Sequence, residues 1–256
     1  LGLFDRPFPP ERPVMGSVRP RPTASHAARL DLERYRVWVH RGTPRAEVVV
    51  IGAGMAGTAA AIALARQGVA VHVIDKGRHA GGRMATRMRE DGAWDHGAQY
   101  FTARDPRFVR RVGHWQELGL VAAWEARHAR RRGGETQPDI ANDRRWVAVP
   151  AMHALCARLL DGVPLTSGRA VAAIERSGAR WRLADGDGAT IRDADAVLVT
   201  APTAQAAALL AGPAPLLAQA AARARHAPCW AAMLRLTQTH DPGWDTLIAD
   251  DPVIAW

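Results

Sequence analysis

The chain has 256 residues, enough for one large domain or two small ones around a buried core, and 48% hydrophobic with 23% charged residues is an ordinary globular composition. Its net charge of +9 is unevenly placed: residues 1–46 hold nine arginines against Asp5, Glu11, Asp31 and Glu33, which leaves +4 for the rest. Of the 34 basic residues Lys76 alone is lysine, and alanine is abundant throughout, a compositional habit rather than a designed basic patch, so nucleic-acid binding is not expected. Cys156 and Cys229 show no metal-ligand spacing, the longest apolar run is too short to span a bilayer, and no signal-peptide pattern is seen. No metal and no membrane are therefore expected, and a reducing cytoplasm is the expected location.

Residues 1–45 are rich in proline and arginine, sustain no hydrophobic period, and read as a disordered basic tail; DLERYRVWV (31–39) could add a short strand or helix. Order is expected from Glu47. EVVVI has the composition of a buried strand, GAGMAG follows it, and TAAAIALARQG reads as a helix closed by Gly68. VAVHVID (69–75) completes a βαβ unit. Next come a Gly-Gly pair, an extended piece at WDHGAQYFT (94–102) and a helix from Pro106 to Leu118. Residues 128–144 read as a polar loop, RWVAVP as an extended run, and AMHALCARLL as a helix with Cys156 in the core. From 164 the chain breaks into short strands: VPLT, RAVAAIER, ARWRLAD, ATIRD and DAVLVTA, with an Asp-Gly turn marking a hairpin. Alanine-rich helices (203–224) and a strand PCWAAMLRLT follow. The expected class is α/β: a Rossmann-like domain, parallel sheet with flanking helices (about 46–100 and 150–205), interleaved with a partial mixed-sheet substrate domain (about 101–149 and 206–256).

Gly52, Gly54 and Gly57 form G-x-G-x-x-G directly after an apolar strand and at the start of a helix, and Asp75 closes the next strand eighteen residues later. In that setting Gly52 allows a tight turn, Gly54 lets a pyrophosphate approach the backbone, and Gly57 lets helix and strand pack closely. The helix start offers free N–H groups to phosphate, and Asp75 a carboxylate to ribose hydroxyls. Lys76 beside that acid, in place of an arginine cluster, weighs against a 2′-phosphate. The second pair, Gly81-Gly82, with Arg83 after it, separates NAD from FAD. A longer cofactor lying extended through the protein needs further bare backbone, and a guanidinium fork can hold its second phosphate.

GAGMAG, the strand-ending acid and GGRMATR resemble the amine oxidase superfamily of flavoproteins. DHGAQYFTARDPRF and WVAVPAMHALCARLL resemble more closely its bacterial renalase-like branch, over residues 47–256. The resemblance implies FAD held by Gly52, Gly54, Met55, Ala56 and Gly57 at the phosphates, by Asp75 at the ribose with Lys76 beside it, and by Gly82 and Arg83 at the second turn. It further implies Gln99 and Tyr100 near the flavin and a backbone contact from Val171 to adenine. The implied activity is hydride transfer from a small substrate, with an isomeric dihydro-NAD(P) as candidate, and oxygen as the acceptor. No acid or base is implied among the side chains: His96 reads as structural or solvated, and Lys76 lies at the wrong end of the cofactor to serve as an amine oxidase lysine. Alternatives are an amine oxidase or desaturase, or a catalytically incompetent nucleotide-binding fragment. Relatives continue beyond a DDPVIAW-like stretch, so ending at Trp256 implies a missing flavin wall, a last strand without neighbours, weak flavin retention and poor activity.

Overall fold

The computed structural model describes residues 46–251 except 91, 141–143 and 239; the basic tail and the element expected at 31–39 lie outside the described residues. By their contacts these residues divide into a larger unit, 46–125 and 144–233, and a smaller one, 126–140 and 234–251.

The larger unit is organised by a parallel sheet. Strand β1 (Glu47–Ile51) leads through helix α1 (Met55–Arg66) into β2 (Ala70–Asp75), the βαβ unit of the sequence. β10 (Leu165–Ser167) flanks β2, and β14 (Ala196–Val199) flanks β1, giving the order β10-β2-β1-β14. Both faces are covered, which is why these strands read as nearly continuous apolar runs. Val50, Val71 and Val73 face Ala61 and Ala65 of α1, with Cys156 and Leu160 in or just after α3 (Ala154–Leu159). Val49, Ile51 and Ile74 face Ile174, Leu183 and Ala194 of an antiparallel meander made by β11 (Ala173–Ser177), β12 (Arg180–Ala184) and β13 (Thr190–Ala194). Cys156 is fully buried, as its helical spacing predicts, and burial pushes its thiol pKa up.

Beyond β2 a 3₁₀ turn (Gly82–Met84) opens a hairpin of β3 (Thr86–Arg89) and β4 (Gly92–Asp95). A second small sheet joins β5 (Phe101–Thr102), β9 (Arg145–Ala148) and β6 (Val121–Ala123), with α2 (Pro106–Glu117) packing Val112 and Trp115 against it. Asp105 caps α2, accepting from the N–H groups of Arg107 and Phe108 at 2.8 and 3.4 Å, and Pro106 occupies the first turn, where a missing N–H costs nothing. Helices α4 (Thr203–Leu210) and α5 (Pro215–Arg223) follow β14 as the alanine-rich run predicts.

Two expectations are corrected. Residues 128–138, expected within a polar loop, form a hairpin of β7 (His128–Arg132) and β8 (Glu135–Pro138) around Gly133–Gly134, and β15 (Thr246–Ala249) pairs in parallel with β7. Gly-Gly is a hairpin turn signal, but the flanks HARRR and ETQP lack the apolar alternation that marks a half-buried strand. This is the core of the smaller unit, held at one end by Arg127, which bonds Asp245 and Asp241 at 2.9 and 3.0 Å. PCWAAMLRLT, expected as a strand, pairs with none of the described strands, and Trp230 stands 94% exposed. Apolar and β-branched content makes a strand only where a neighbour takes up the backbone hydrogen bonds.

A charged clasp ties β1 to the meander. Glu47 accepts from Arg180 and from Arg192, each at 2.7 Å, while its own N–H donates to Asp195 at 2.7 Å. Burial raises the Glu47 pKa, but the two arginine hydrogen bonds outweigh it, and the net shift is below the ordinary 4.5. A carboxylate lowered on folding contributes stability that is present above 4.5 and lost as pH falls through its folded value. Glu47→Gln is therefore expected to lower Tm at neutral pH, with the gap between variant and wild type closing as the pH of the melt is taken below 4.5. A gap independent of pH would show that the clasp acts by packing alone.

Candidate functional site: two glycine turns at the carboxyl edge of the sheet

The carboxyl ends of β1, β2 and β14 converge where an open α/β sheet places its ligands. Gly52 leaves β1 with φ +110°, a conformation costly for any residue with a Cβ. Its N–H donates to Ile74 O at 2.8 Å, which locks the turn against β2. Gly57, in the first turn of α1, has no room for a side chain: a Cβ there would overlap the carbonyl oxygen of Gly52. The helix thus sits directly on the strand end. Thr200, immediately after β14, braces this junction by donating from its hydroxyl to Ile51 O at 2.9 Å.

Gly54 is the N-cap of α1. No side chain caps the first turn and no acid stands in it, so the helix start keeps its N–H groups and partial positive charge for a ligand. Met55 is half-buried and packs into the core, while Ala56 is exposed beside the open N–H groups.

The second glycine pair lies against the first. Gly54 and Gly81 form a parallel bridge, the Gly81 N–H donates to Ala53 O at 2.9 Å, and a Cβ on Gly82 would come within 3.0 Å of the Gly54 Cα. A Cβ on Gly54 would meet only Gly82 Cα at 3.7 Å and Gly81 O at 4.0 Å. Two stretches distant in sequence therefore present one surface of bare backbone. Arg83 is exposed just after it, and Lys76 is exposed just after β2; neither has an ion-pair partner among the described residues. A backbone cradle, an uncapped helix start and two such cations fit a diphosphate.

Asp75 is held by backbone on both carboxylate oxygens. One carboxylate oxygen accepts from the Ala53 N–H and the other from the Gly77 N–H, both at 2.6 Å. The acid thus braces the phosphate turn while keeping a second lone pair on each oxygen for ligand hydroxyls. The segment after β10 runs alongside: Arg169 N–H donates to Asp75 O at 3.1 Å, and Val171, half-buried, follows two residues later and packs on the core beneath the sheet.

DHGAQY is carried on the second turn. Ala98 N–H donates to Arg83 O at 2.8 Å and Gly97 N–H to Ala85 O at 3.2 Å. A Cβ at Gly97 would overlap the Arg83 carbonyl oxygen, so the motif's glycine is what allows the contact. Gln99 follows, half-buried. Tyr100 lies 5.6 Å from the Trp124 ring, and the buried Arg145 guanidinium stands 5.1 Å over the Tyr100 ring. His96 is half-buried, and its backbone N–H donates to Trp94 O at 3.1 Å. Nothing groups three or more metal-ligating side chains among the described residues, and no helix among them is long and apolar enough to cross a membrane. A cavity of 230 Å³ lined by Glu47, Val69, Val163 and Arg192 lies at the opposite, amino-terminal edge of the sheet, away from both glycine turns.

The structure thus gathers Gly52, Gly54, the buried Gly57 and Asp75 around one turn, lays Gly81 and Gly82 against Gly54 with Arg83 after them, and ties the segment leading to Gln99 and Tyr100 to Arg83. Sequence reasoning missed Ala53, Gly97, Thr200 and Arg145. Gly97 and Thr200 carried a signal, one as a glycine inside the quoted motif, the other at the punctuation after a buried strand.

This is the fold of a Rossmann-like dinucleotide-binding domain, with its glycine turn at the carboxyl edge of the parallel sheet. Residues 50–113 match the NAD(P)-binding Rossmann-like domain, and residues 140–233 match the flavin containing amine oxidoreductases. The second match is to a flavin-containing family, and FAD is the cofactor the two matches imply. Among solved structures the chain is similar to a protein assigned as a protoporphyrinogen oxidase from Exiguobacterium sp. 255-15, with TM-score 0.53 and 14% identity over 67% of this chain and 62% of that one. It is similar also to a putrescine oxidase bound to putrescine, with TM-score 0.50 and 14% identity over 64% of this chain and 60% of that one. The likeness is one of fold, and the chain spans about three fifths of the length of both structures.

Proposed function

We propose that this chain binds FAD and forms part of a renalase-like oxidoreductase that takes hydride from a small substrate, with an isomeric dihydro-NAD(P) as substrate class and oxygen as acceptor. The observation that carries the cofactor part is the meeting of the two glycine turns, Gly54 against Gly81 and Gly82, beside Arg83. Gly52, Gly54, Met55, Ala56 and Gly57 receive the phosphates, Gly82 and Arg83 the second phosphate, and Asp75 the adenosine ribose with Lys76 at its side. Val171 offers backbone to the adenine. FAD, when bound, would supply a hydride acceptor that oxygen can reoxidise. The chain's own residues bind and orient: Gln99 and Tyr100 lie along the far end of the site, with Trp124 and Arg145 fixing the Tyr100 ring. Segments 101–149 and 206–256 are read as belonging to a substrate domain.

A dihydropyridine gives up hydride without a base, which suits a site whose described side chains offer no evident one. The match over residues 140–233 favours amine oxidation as the second reading. Lys76 is the only lysine of the sequence and follows Asp75, at the adenosine end. The two readings separate in one experiment. Protein supplied with FAD and mixed without oxygen with isomeric dihydro-NAD(P) is expected to lose the visible flavin band, and primary amines are expected to leave it. Bleaching by amines but not by the dihydropyridine would overturn the proposed substrate.

A further inference from the structure

Behind the second glycine turn stand two histidines that the binding surface does not use. A Cβ at Gly81 would come within 3.0 Å of His153 Cβ and 3.1 Å of its Cα, so Gly81 rests on His153. His79, two residues before Gly81, lies with its ring 6.1 Å from that of His153. His153 is held in place by its own N–H, which donates to Thr86 Oγ1 at 3.2 Å, and Thr86 in turn bonds Asp95 at 2.5 Å. The side chain is less well served: Nδ1 of His153 is buried and has no hydrogen-bond partner among the described residues.

A neutral imidazole tolerates that place, because Nδ1 can be the nitrogen without a proton. An imidazolium carries N–H on both nitrogens, so charging His153 would bury a donor with no acceptor. The titratable groups that bear on His153 are His79, from the segment between β2 and the 3₁₀ turn, and Asp95, at the end of β4; β3 contributes the neutral Thr86. Burial and then His79 hold the His153 pKa below its ordinary 6.5, and Asp95 opposes them.

We propose that His153, with His79 beside it, is a positioning residue for the Gly81–Gly82 turn, and that protonation of His153 in mild acid loosens the turn and releases the dinucleotide phosphate beside it. The inference rests on the dinucleotide reading of the site. A histidine whose pKa is lowered in the assembled state supports that state fully above 6.5 and progressively less as pH falls toward the lowered value. Affinity should therefore fall with acid. Histidines that touched the phosphates themselves would give the opposite sign, since charging would then tighten binding.

The test is a titration of the full chain with FAD, followed by flavin fluorescence, at about pH 8 and about pH 5.5, on either side of the ordinary histidine range. The Kd of the wild type is expected to rise about tenfold or more in acid with unchanged far-UV circular dichroism, while His153→Asn gives a nearly flat profile. Should His153→Asn fail to fold, His79→Asn, at an exposed position, is expected to reduce the pH dependence. Wild-type affinity that is flat or tighter in acid overturns the inference, as does an unchanged profile in the folded variants or a loss of circular dichroism in parallel with binding. Absence of FAD binding at the higher pH overturns the dinucleotide reading, and the inference with it.

Discussion

Gly57→Ala is expected to destabilise the protein by about 3 kcal/mol, a fall in Tm on the order of 10 °C, and to abolish measurable FAD binding. The sign is not obvious, because Gly57 lies within α1, where alanine is favoured over glycine by about 1 kcal/mol. Position 57 is different because the added methyl would overlap the carbonyl oxygen of Gly52 and come within 2.8 Å of Thr200 Oγ1. Gly52 cannot easily yield, since its N–H is bound to Ile74 O at 2.8 Å. The methyl must instead push α1 off the end of β1, and the N–H groups meant for phosphate move with it. Ala59→Gly, at an exposed position of the same helix, serves as the control and should cost about 1 kcal/mol while leaving FAD affinity unchanged. Thermal melts and FAD titrations of both variants check the prediction. A Gly57→Ala protein as stable as wild type would mean that helix and strand do not meet as described.

Asp75→Asn should be nearly as damaging, for an electrostatic reason. Both carboxylate oxygens accept backbone N–H groups, from Ala53 and from Gly77, each at 2.6 Å. An amide of the same shape supplies one acceptor and turns its NH₂ toward the other N–H. One charge-assisted hydrogen bond is lost and a backbone donor is left unsatisfied, at a cost of about 2–3 kcal/mol in stability. Loss of the ribose contact should add to this and weaken FAD binding by about 10- to 100-fold. Melting curves and the FAD dissociation constant are the measurements. If affinity falls but stability does not, the acid serves the ligand alone, and its bracing of the phosphate turn is refuted.

What the sequence reveals of this fold and site, and what it hides, divides along a physical line. The βαβ unit is plain because a buried parallel strand writes an apolar run and a phosphate turn writes its glycines. The paired use of the two glycine motifs is also legible in outline, since bare backbone in two places implies one long ligand. What the sequence does not show is that Gly54 and Gly81 touch, because a bridge between residues so far apart leaves no periodicity. The β7–β8 hairpin escapes because its strands are exposed and charged, and the rule that finds strands looks for burial. PCWAAMLRLT misleads for the converse reason: it has a strand's composition, but no described strand takes up its backbone. Gly97 and Thr200 are marked by a glycine in a motif and by the end of a buried strand, but the marks do not name their partners, a carbonyl oxygen of another segment in each case, Arg83 for Gly97 and Ile51 for Thr200. Arg145 is hidden in an arginine-rich chain, where nothing distinguishes the buried guanidinium from its many exposed counterparts.

The central claim is that the two glycine turns together form a site for FAD rather than for a shorter dinucleotide. An equilibrium titration of the chain with FAD, repeated in the presence of NAD⁺ and of ADP, tests it directly. Saturable one-to-one binding of FAD, weakened by ADP at the shared half of the site and weakened by NAD⁺ no more than by ADP, is the predicted result. NAD⁺ binding as tightly as FAD, or no saturable FAD binding at all, would contradict it.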